Sequence, residues 1–276
     1  MIPKRIIPSR DWRISVYEET LNVIKKGFYQ TQSGNTIHLE NVQPTAVQFN
    51  SPEEITYQPN KLFDTQIEVA DADCIEEGIK LKEQGHSVCV LNMASDTSPG
   101  GGVLRGSAAQ EENLFRRTTY SVHLNNATAS YPIARCGGVY TPKVLVLRAP
   151  EAQNYSYLDK PAELAFVAVP GLKSPPLNWE GNRCFLSPQS YQTLKTKITC
   201  ILKICASFQH TAVVLSALGC GAYRSPPADV AKAFKEVLWE FEGVFQKVVF
   251  AIFDDHNARM LHNPGGNLKP FLEEFN

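Results

Sequence analysis

No apolar run in this sequence approaches the roughly 18 residues a membrane-spanning helix needs, so none is expected. The start, Met-Ile-Pro-Lys-Arg, leads into Asp11 and Trp12 without an apolar signal region. The seven cysteines are an odd, irregular set with no CxxC pair, which argues against a disulfide scaffold or a zinc ribbon. Cys89, Cys200 and Cys205 lie in apolar stretches and read as buried thiols. These absences point to a reducing, intracellular compartment, cytoplasmic, or nuclear if the source is eukaryotic or viral. Charge of one sign is also lacking: 27 basic against 28 acidic residues leave a net charge of −1. No broad field exists to gather nucleic acid or an acidic membrane, so neither sequence-specific nucleic-acid binding nor membrane association is expected. There is no GxSxG elbow, no HExxH, and no GxGxxG after a strand, which disfavours a serine hydrolase, a zinc peptidase and a dinucleotide-dependent oxidoreductase. Asp254-Asp255-His256 hints at a metal only faintly, and no metal or cofactor is expected.

What is present is an ordinary globular composition, with hydrophobic residues at 43%, enough over 276 residues for a substantial core. No repeat, low-complexity tract or linker divides the chain, so one domain over 1–276 is expected, with 1–60 as an N-terminal extension packed on the core. Ile14, Tyr17, Leu21, Ile24 and Phe28 recur at helical steps and predict a helix over 10–28 with that face inward. Residues 36–40 alternate like an exposed strand, and 41–64, with Pro44, Pro52 and Pro59, read as an irregular connection with a short strand. Strand and helix then alternate. Strands are predicted at 66–70, 87–93, 143–148, 165–169, 211–216 and 247–253. Helices are predicted at 73–84, with Ile75 and Ile79 inward, and at about 109–124, 188–208 and 228–242. Near-continuous apolar strands such as Val88-Cys89-Val90-Leu91 are those of a sheet covered on both faces. The expected class is α/β, a three-layer helix–sheet–helix sandwich around a mixed, largely parallel sheet with an N-terminal helical extension.

Two glycine-rich loops follow apolar strands directly, so both should lie at the edge where such sheets bind ligands. The first holds Gly100, Gly101 and Gly102; the second is Leu218-Gly219-Cys220-Gly221-Ala222-Tyr223. Glycine lets backbone N–H groups come close to a phosphate, and a following helix adds the positive end of its dipole. A lone triple glycine is more often a plain turn, but two such loops at one edge favour phosphate. Seven residues after the first come Gln110, Glu111 and Glu112, at the start of a predicted helix. Acids are favoured there by the helix dipole alone. Adjacent helical residues point about 100° apart, so the two acids are not expected to face one bond together. They are not the opposed carboxylates of most glycosidases. Asn92, near the end of the strand before the loop, can read ribose hydroxyls or cap a turn. Phe253 can stack on a base or ribose, although core packing is the commoner role of Phe.

Gly-Gly-Gly, a short spacer and Gln-Glu-Glu together resemble the signature of the bacterial-type (microbial-type) poly(ADP-ribose) glycohydrolases, enzymes of the macrodomain fold. Val90-Leu91-Asn92-Met93-Ala94-Ser95, Tyr131-Pro132-Ile133, Gly138-Val139-Tyr140-Thr141-Pro142-Lys143-Val144, the second glycine loop and Val249-Phe250-Ala251-Ile252-Phe253 resemble further family segments in order, over roughly residues 10–260. The resemblance implies that Glu112 is the catalytic acid and base. It implies that Glu111, with Gln110 and Asn92, orients the ribose. Gly100 to Gly102 and Gly219, Cys220, Gly221, Ala222 and Tyr223 would hold the diphosphate. Phe253 would lie beside the ligand, and Asp73 would contact adenine. The second loop departs from the family in continuing as Arg224-Ser225-Pro226-Pro227. The implied substrate is poly(ADP-ribose), cut at its ribose–ribose O-glycosidic bond from the end to release ADP-ribose, with ADP-ribosylated proteins as partners. Other readings remain open: a hydrolase of mono-ADP-ribose or O-acetyl-ADP-ribose, which the same grip would serve, and a non-catalytic ADP-ribose reader, against which the acids argue.

Overall fold

The computed structural model describes residues 8–39, 42–125, 129–254 and 258–275. The chain opens with α1 (Arg10–Lys26), started by Ser9, whose Oγ accepts the Trp12 N–H at 3.1 Å, and stopped by Gly27 at φ 77°. Its buried face is Val16, Tyr17, Thr20 and Val23; Leu21 is exposed and Phe28 has left the helix for the next strand. An apolar stripe alone misplaces this face because Thr20 occupies an inward position. Its hydroxyl donates to the Arg116 carbonyl at 2.7 Å and accepts Arg148 Nε at 2.9 Å. The strands β1 (Phe28–Gln30) and β2 (Thr36–His38) then form an antiparallel hairpin.

The central sheet has seven strands: β3 (Val47–Phe49), β4 (Gln66–Ala70), β5 (Val88–Ala94), β6 (Gly138–Arg148), β7 (Tyr157–Pro170), β10 (Ala212–Leu215) and β11 (Lys247–Ala251). A small hairpin, β8 (Leu177–Glu180) and β9 (Arg183–Leu186), stands apart. The order across the central sheet is β3-β6-β7-β5-β10-β11-β4. β7, β5, β10, β11 and β4 run parallel; β6 is antiparallel to β7, and β3 to β6. The carboxyl ends of all five parallel strands therefore share one edge, as the sequence order implied for the two glycine loops.

Helices cover both faces. On one lie α5 (Pro188–Ser207), α6 (Pro227–Glu240) and α7 (Leu268–Phe275), packed on Cys89, Leu91, Val213 and Phe250. On the other lie α1, α2 (Cys74–Glu83), α3 (Gln110–Arg117) and α4 (Tyr120–Leu124), packed on Val88, Val90, Phe166 and Val214. Two expectations need correction. The helix over 109–124 is two helices, because Thr118 leaves helical geometry to bridge Val146 and its Oγ1 accepts the Tyr120 N–H at 3.0 Å. β6 and β7 extend well beyond 143–148 and 165–169, as a long antiparallel pair: β6 begins earlier, at the buried Gly138-Val139-Tyr140-Thr141, and β7 begins at Tyr157 with half-buried and exposed, less apolar residues. Among the described residues, no helix is long and apolar enough to cross a membrane.

Candidate active site

Alternation along β5 puts Val88 and Val90 on the face that carries α2 and α3, and Asn92 continues that face. Asn92 is fully buried. Gln110, the first residue of α3, ties that helix to the same strand: its Oε1 accepts the Met93 N–H at 2.9 Å and its Nε2 donates to the Leu91 carbonyl at 2.6 Å. The amide is thus a strut that sets where the next two residues stand.

Those residues meet the glycine loop. Glu111 Oε2 accepts the Ser95 N–H at 2.7 Å, and its Oε1 accepts the Gly100 N–H at 3.2 Å and Asn92 Nδ2 at 3.4 Å. Glu112 Oε1 accepts the Gly102 N–H at 2.7 Å. Gly101, at φ 53°, lies between them: a Cβ there would stand 2.8 Å from Glu112 Oε1 and 3.1 Å from Glu111 Oε2. The loop therefore folds over both carboxyls, and the helical offset between neighbours does not separate them. Both acids are buried, and Glu112 Oε2 has no hydrogen-bond partner among the described residues.

Burial pushes the Glu111 carboxyl up to about 8, with the neighbouring Glu112 charge adding to the rise and the Ser95 N–H opposing it. Arg116, one turn after Glu112, is fully buried, and burial lowers its pKa. Its Nη2 donates to the Ser107 carbonyl in the stretch between the triple glycine and α3, while Nε and Nη1 have no partner among the described residues. Two buried phenols complete the surroundings. The Tyr120 hydroxyl lies by Asn92 and the Tyr131 hydroxyl by Glu111, and burial raises both phenols. Arg116 and Tyr120 were not singled out from sequence, and Tyr131 appeared there only within the Tyr131-Pro132-Ile133 segment, with no role in the site. The one available signal was that Arg116 and Tyr120 sit in an otherwise inward-facing stretch after Glu112.

The second loop follows β10. Gly219 has φ 76° and packs on Gly171, where a Cβ on Gly171 would come 2.8 Å from the Gly219 Cα. Cys220 turns its side chain fully into the core, so it offers only backbone to the edge, and its carbonyl is held by His262 Nε2 at 2.7 Å. Gly221 is half-buried and Ala222 exposed. The Tyr223 hydroxyl lies 3.5 Å from Asp96 Oδ1. Arg224 adopts φ 64°, and the Ser225 N–H closes the loop on the Gly219 carbonyl at 2.9 Å. Phe253, just past β11, is 69% exposed, so its ring is not core. Asp73 caps α2, accepting the Ile75 N–H at 2.9 Å, and pairs with Arg117 Nη1 at 2.8 Å. Asp73 thus stands at the same edge beside the end of β4, with much of its carboxylate committed to structure. Asp255 and His256 lie outside the described residues, among which no cluster of metal-ligating side chains occurs.

The arrangement brings both glycine loops, a buried amide, two buried carboxyls and an exposed aromatic ring to one edge; the Gly100, Gly101 and Gly102 N–H groups, expected to hold phosphate, serve Glu111, the Ser98 carbonyl and Glu112 instead, which leaves that part to the second loop. The comparisons agree with it. The family model described as "Microbial-type PARG, catalytic domain" matches residues 17–149, from within α1 to just past β6. A crystal structure of poly(ADP-ribose) glycohydrolase (PARG) from Thermomonospora curvata is 25% identical, with 95% of this chain and 99% of that one covered and a TM-score of 0.79. The structure of the T. curvata enzyme bound to the inhibitor ADP-HPD matches with the same identity and coverage at a TM-score of 0.75. The enzyme from Deinococcus radiodurans in complex with ADP-ribose is 27% identical over 84% of this chain and 94% of that one, at a TM-score of 0.69. No curated protein matches significantly.

Proposed function

We propose, from the match of residues 17–149 to the microbial-type PARG catalytic domain and the likeness to solved PARG structures, that the chain hydrolyses the ribose–ribose O-glycosidic bonds of poly(ADP-ribose), with Glu112 as general acid and then general base. The observation that carries the assignment is the inventory of the four carboxylate oxygens. Three accept N–H donors from Ser95, Gly100, Gly102 or Asn92; the fourth, Glu112 Oε2, has no partner among the described residues. An oxygen without other bonds is the one suited to hand over a proton.

In this mechanism the backbone N–H groups of Gly219 and of Gly221 to Tyr223 hold the diphosphate of one ADP-ribose unit, while the first loop, whose Gly100, Gly101 and Gly102 N–H groups serve Glu111, Ser98 and Glu112, lets the unit come close because it carries no side chains. Asn92 and Glu111 orient the ribose beside the scissile bond. Glu112 protonates the leaving ribose oxygen, and an oxocarbenium ion forms at the anomeric carbon. The substrate's own diphosphate, folded nearby, offsets part of that charge. Glu112, now ionised, takes a proton from water as the water attacks the same carbon. A proton must be available near neutral pH. Burial raises the proton affinity of Glu111, which supports a proton held beside Glu112 at the site.

The near-neutral protein grips a single unit through two loops and has no global basic field to track an anionic polymer. The action is therefore exo, releasing ADP-ribose. Chromatography of a poly(ADP-ribose) digest tests this: ADP-ribose should dominate from the first time point. A digest rich in oligomers would contradict exo-action, and release only from mono-ADP-ribosylated protein would contradict the polymer as substrate.

A further inference from the structure

A second cleft opens at the same sheet edge, beyond β7, with a volume of about 400 Å³. Asp96 borders it from the end of β5, Arg135 from the segment before β6, Lys173 from the segment after β7, and Ser190 and Lys197 from α5. Three cations thus face one carboxylate. Lys197 is the informative one. It is 4% exposed, its Nζ donates to the Arg135 carbonyl, and no carboxylate of the described residues forms an ion pair with it. Burial lowers its pKa, so the charge is held at a cost that an anion in the cleft would offset. Among the described residues Arg135 Nη2 reaches only Thr193 Oγ1, at 3.4 Å, which leaves most of its fork available. Lys173 is largely exposed and only loosely paired, 3.9 Å from Asp96. Ser190 lies in the first turn of α5, whose 20 residues add a positive helix end.

The position of the cleft relates it to the acids. Asp96 directly follows Ser95, whose N–H holds Glu111. β7 flanks β5 on the side away from β10, β11 and β4, hence away from Phe253 and Asp73. A terminal ADP-ribose unit lying across the two loops toward β11 and β4 would present its scissile bond to Glu112 near β5. What remains of the polymer then has to depart past β7. The first group on that side is an adenosine carrying its own diphosphate.

We propose that this cleft is a leaving-group subsite, in which Lys197, Arg135 and Lys173 bind the diphosphate of the ADP-ribose unit that stays on the chain. The subsite rests on the glycohydrolase reading above and gives it a second point of contact with the polymer.

Two variants of the full chain test it: Lys197→Met, which replaces a buried charge by an apolar group of similar length, and the surface double variant Arg135→Gln, Lys173→Gln. The measurements are KM and kcat on protein-free poly(ADP-ribose) at several salt concentrations, and the Kd of ADP-ribose by calorimetry. Each charge-assisted contact is worth about tenfold or more. Lys197→Met should therefore raise the polymer KM by about that factor and the double variant by at least as much, both should flatten its salt dependence, and the ADP-ribose Kd should stay within about twofold of wild type. Polymer KM within about twofold of wild type in both variants would overturn the subsite. So would a parallel rise in the ADP-ribose Kd, which would assign these cations to the terminal unit or to folding. If the wild-type chain itself fails to bind ADP-ribose, the glycohydrolase reading fails first and the subsite with it, a result distinct from either of these.

Discussion

Glu111 and Glu112 are neighbours in sequence, yet the fold gives them unlike surroundings. Glu111 accepts three N–H donors and Glu112 accepts one. Gly101 keeps both in place because nothing larger fits over them. Gly101→Val would push a side chain into two carboxyls at 2.8 and 3.1 Å and strain a left-handed backbone. The expected result is a loss of ADP-ribose affinity of at least tenfold by calorimetry, equivalent to about 1.4 kcal/mol; unchanged affinity would remove the first loop from the phosphate site. The raised Glu111 carboxyl has a consequence for stability. Its pKa rises from 4.5 to about 8 on folding, so the native state holds a proton that the unfolded chain has released. The stabilisation is fully present below about pH 4.5 and is lost as pH rises through about 8, on the order of a few kcal/mol in all. Urea unfolding at pH 5 and pH 8 should show that decline in wild type and a much smaller one in Glu111→Gln. An equal decline in both would place the titration elsewhere. The identity and spacing of these acids were legible in the sequence. The folding of the loop over both was not, because helical geometry alone points neighbours apart, and only a backbone threaded between them brings them to a common contact.

At the scale of elements, α1 works as a brace behind the acids. Tyr17 packs on Phe115, whose ring lies under Gly100, where a Cβ would meet it at 2.6 Å. Arg13 pairs with Glu151 at 2.6 Å, and Thr20 links the Arg116 carbonyl to Arg148. Thr20→Val would leave the buried Arg148 Nε without this acceptor. It should cost about 1–3 kcal/mol in denaturant unfolding, whereas a change within experimental error would show that α1 merely covers the sheet. Strands with continuous apolar runs, and helices with strong caps such as Asp73 or Ser187, are where the sequence predicts most closely. It fails where a polar residue carries the structure. Thr20 shifts the inward face of α1, and Thr118 breaks the helix to bridge Val146. The β8–β9 hairpin and α7 carry too little pattern of their own, and their placement depends on surfaces formed by distant segments.

Across the whole molecule, five parallel strands end at one edge, and the order of segments along the chain already implied this. That edge gathers loops, acids, Phe253 and the cleft beyond β7 from segments more than a hundred residues apart. The basic cleft was not legible in the sequence, since Arg135, Lys173 and Lys197 share no local motif and meet only through the packing of α5 against β7. The central claim is that Glu112 moves the proton while the rest of the edge holds the sugar and the diphosphate. Glu112→Gln tests it most directly, with ADP-ribose release from poly(ADP-ribose) and ADP-ribose binding measured on the same preparation. Turnover should fall by about 10²–10⁴-fold while ADP-ribose still binds. Turnover close to that of wild type in a variant that binds ADP-ribose normally would contradict it.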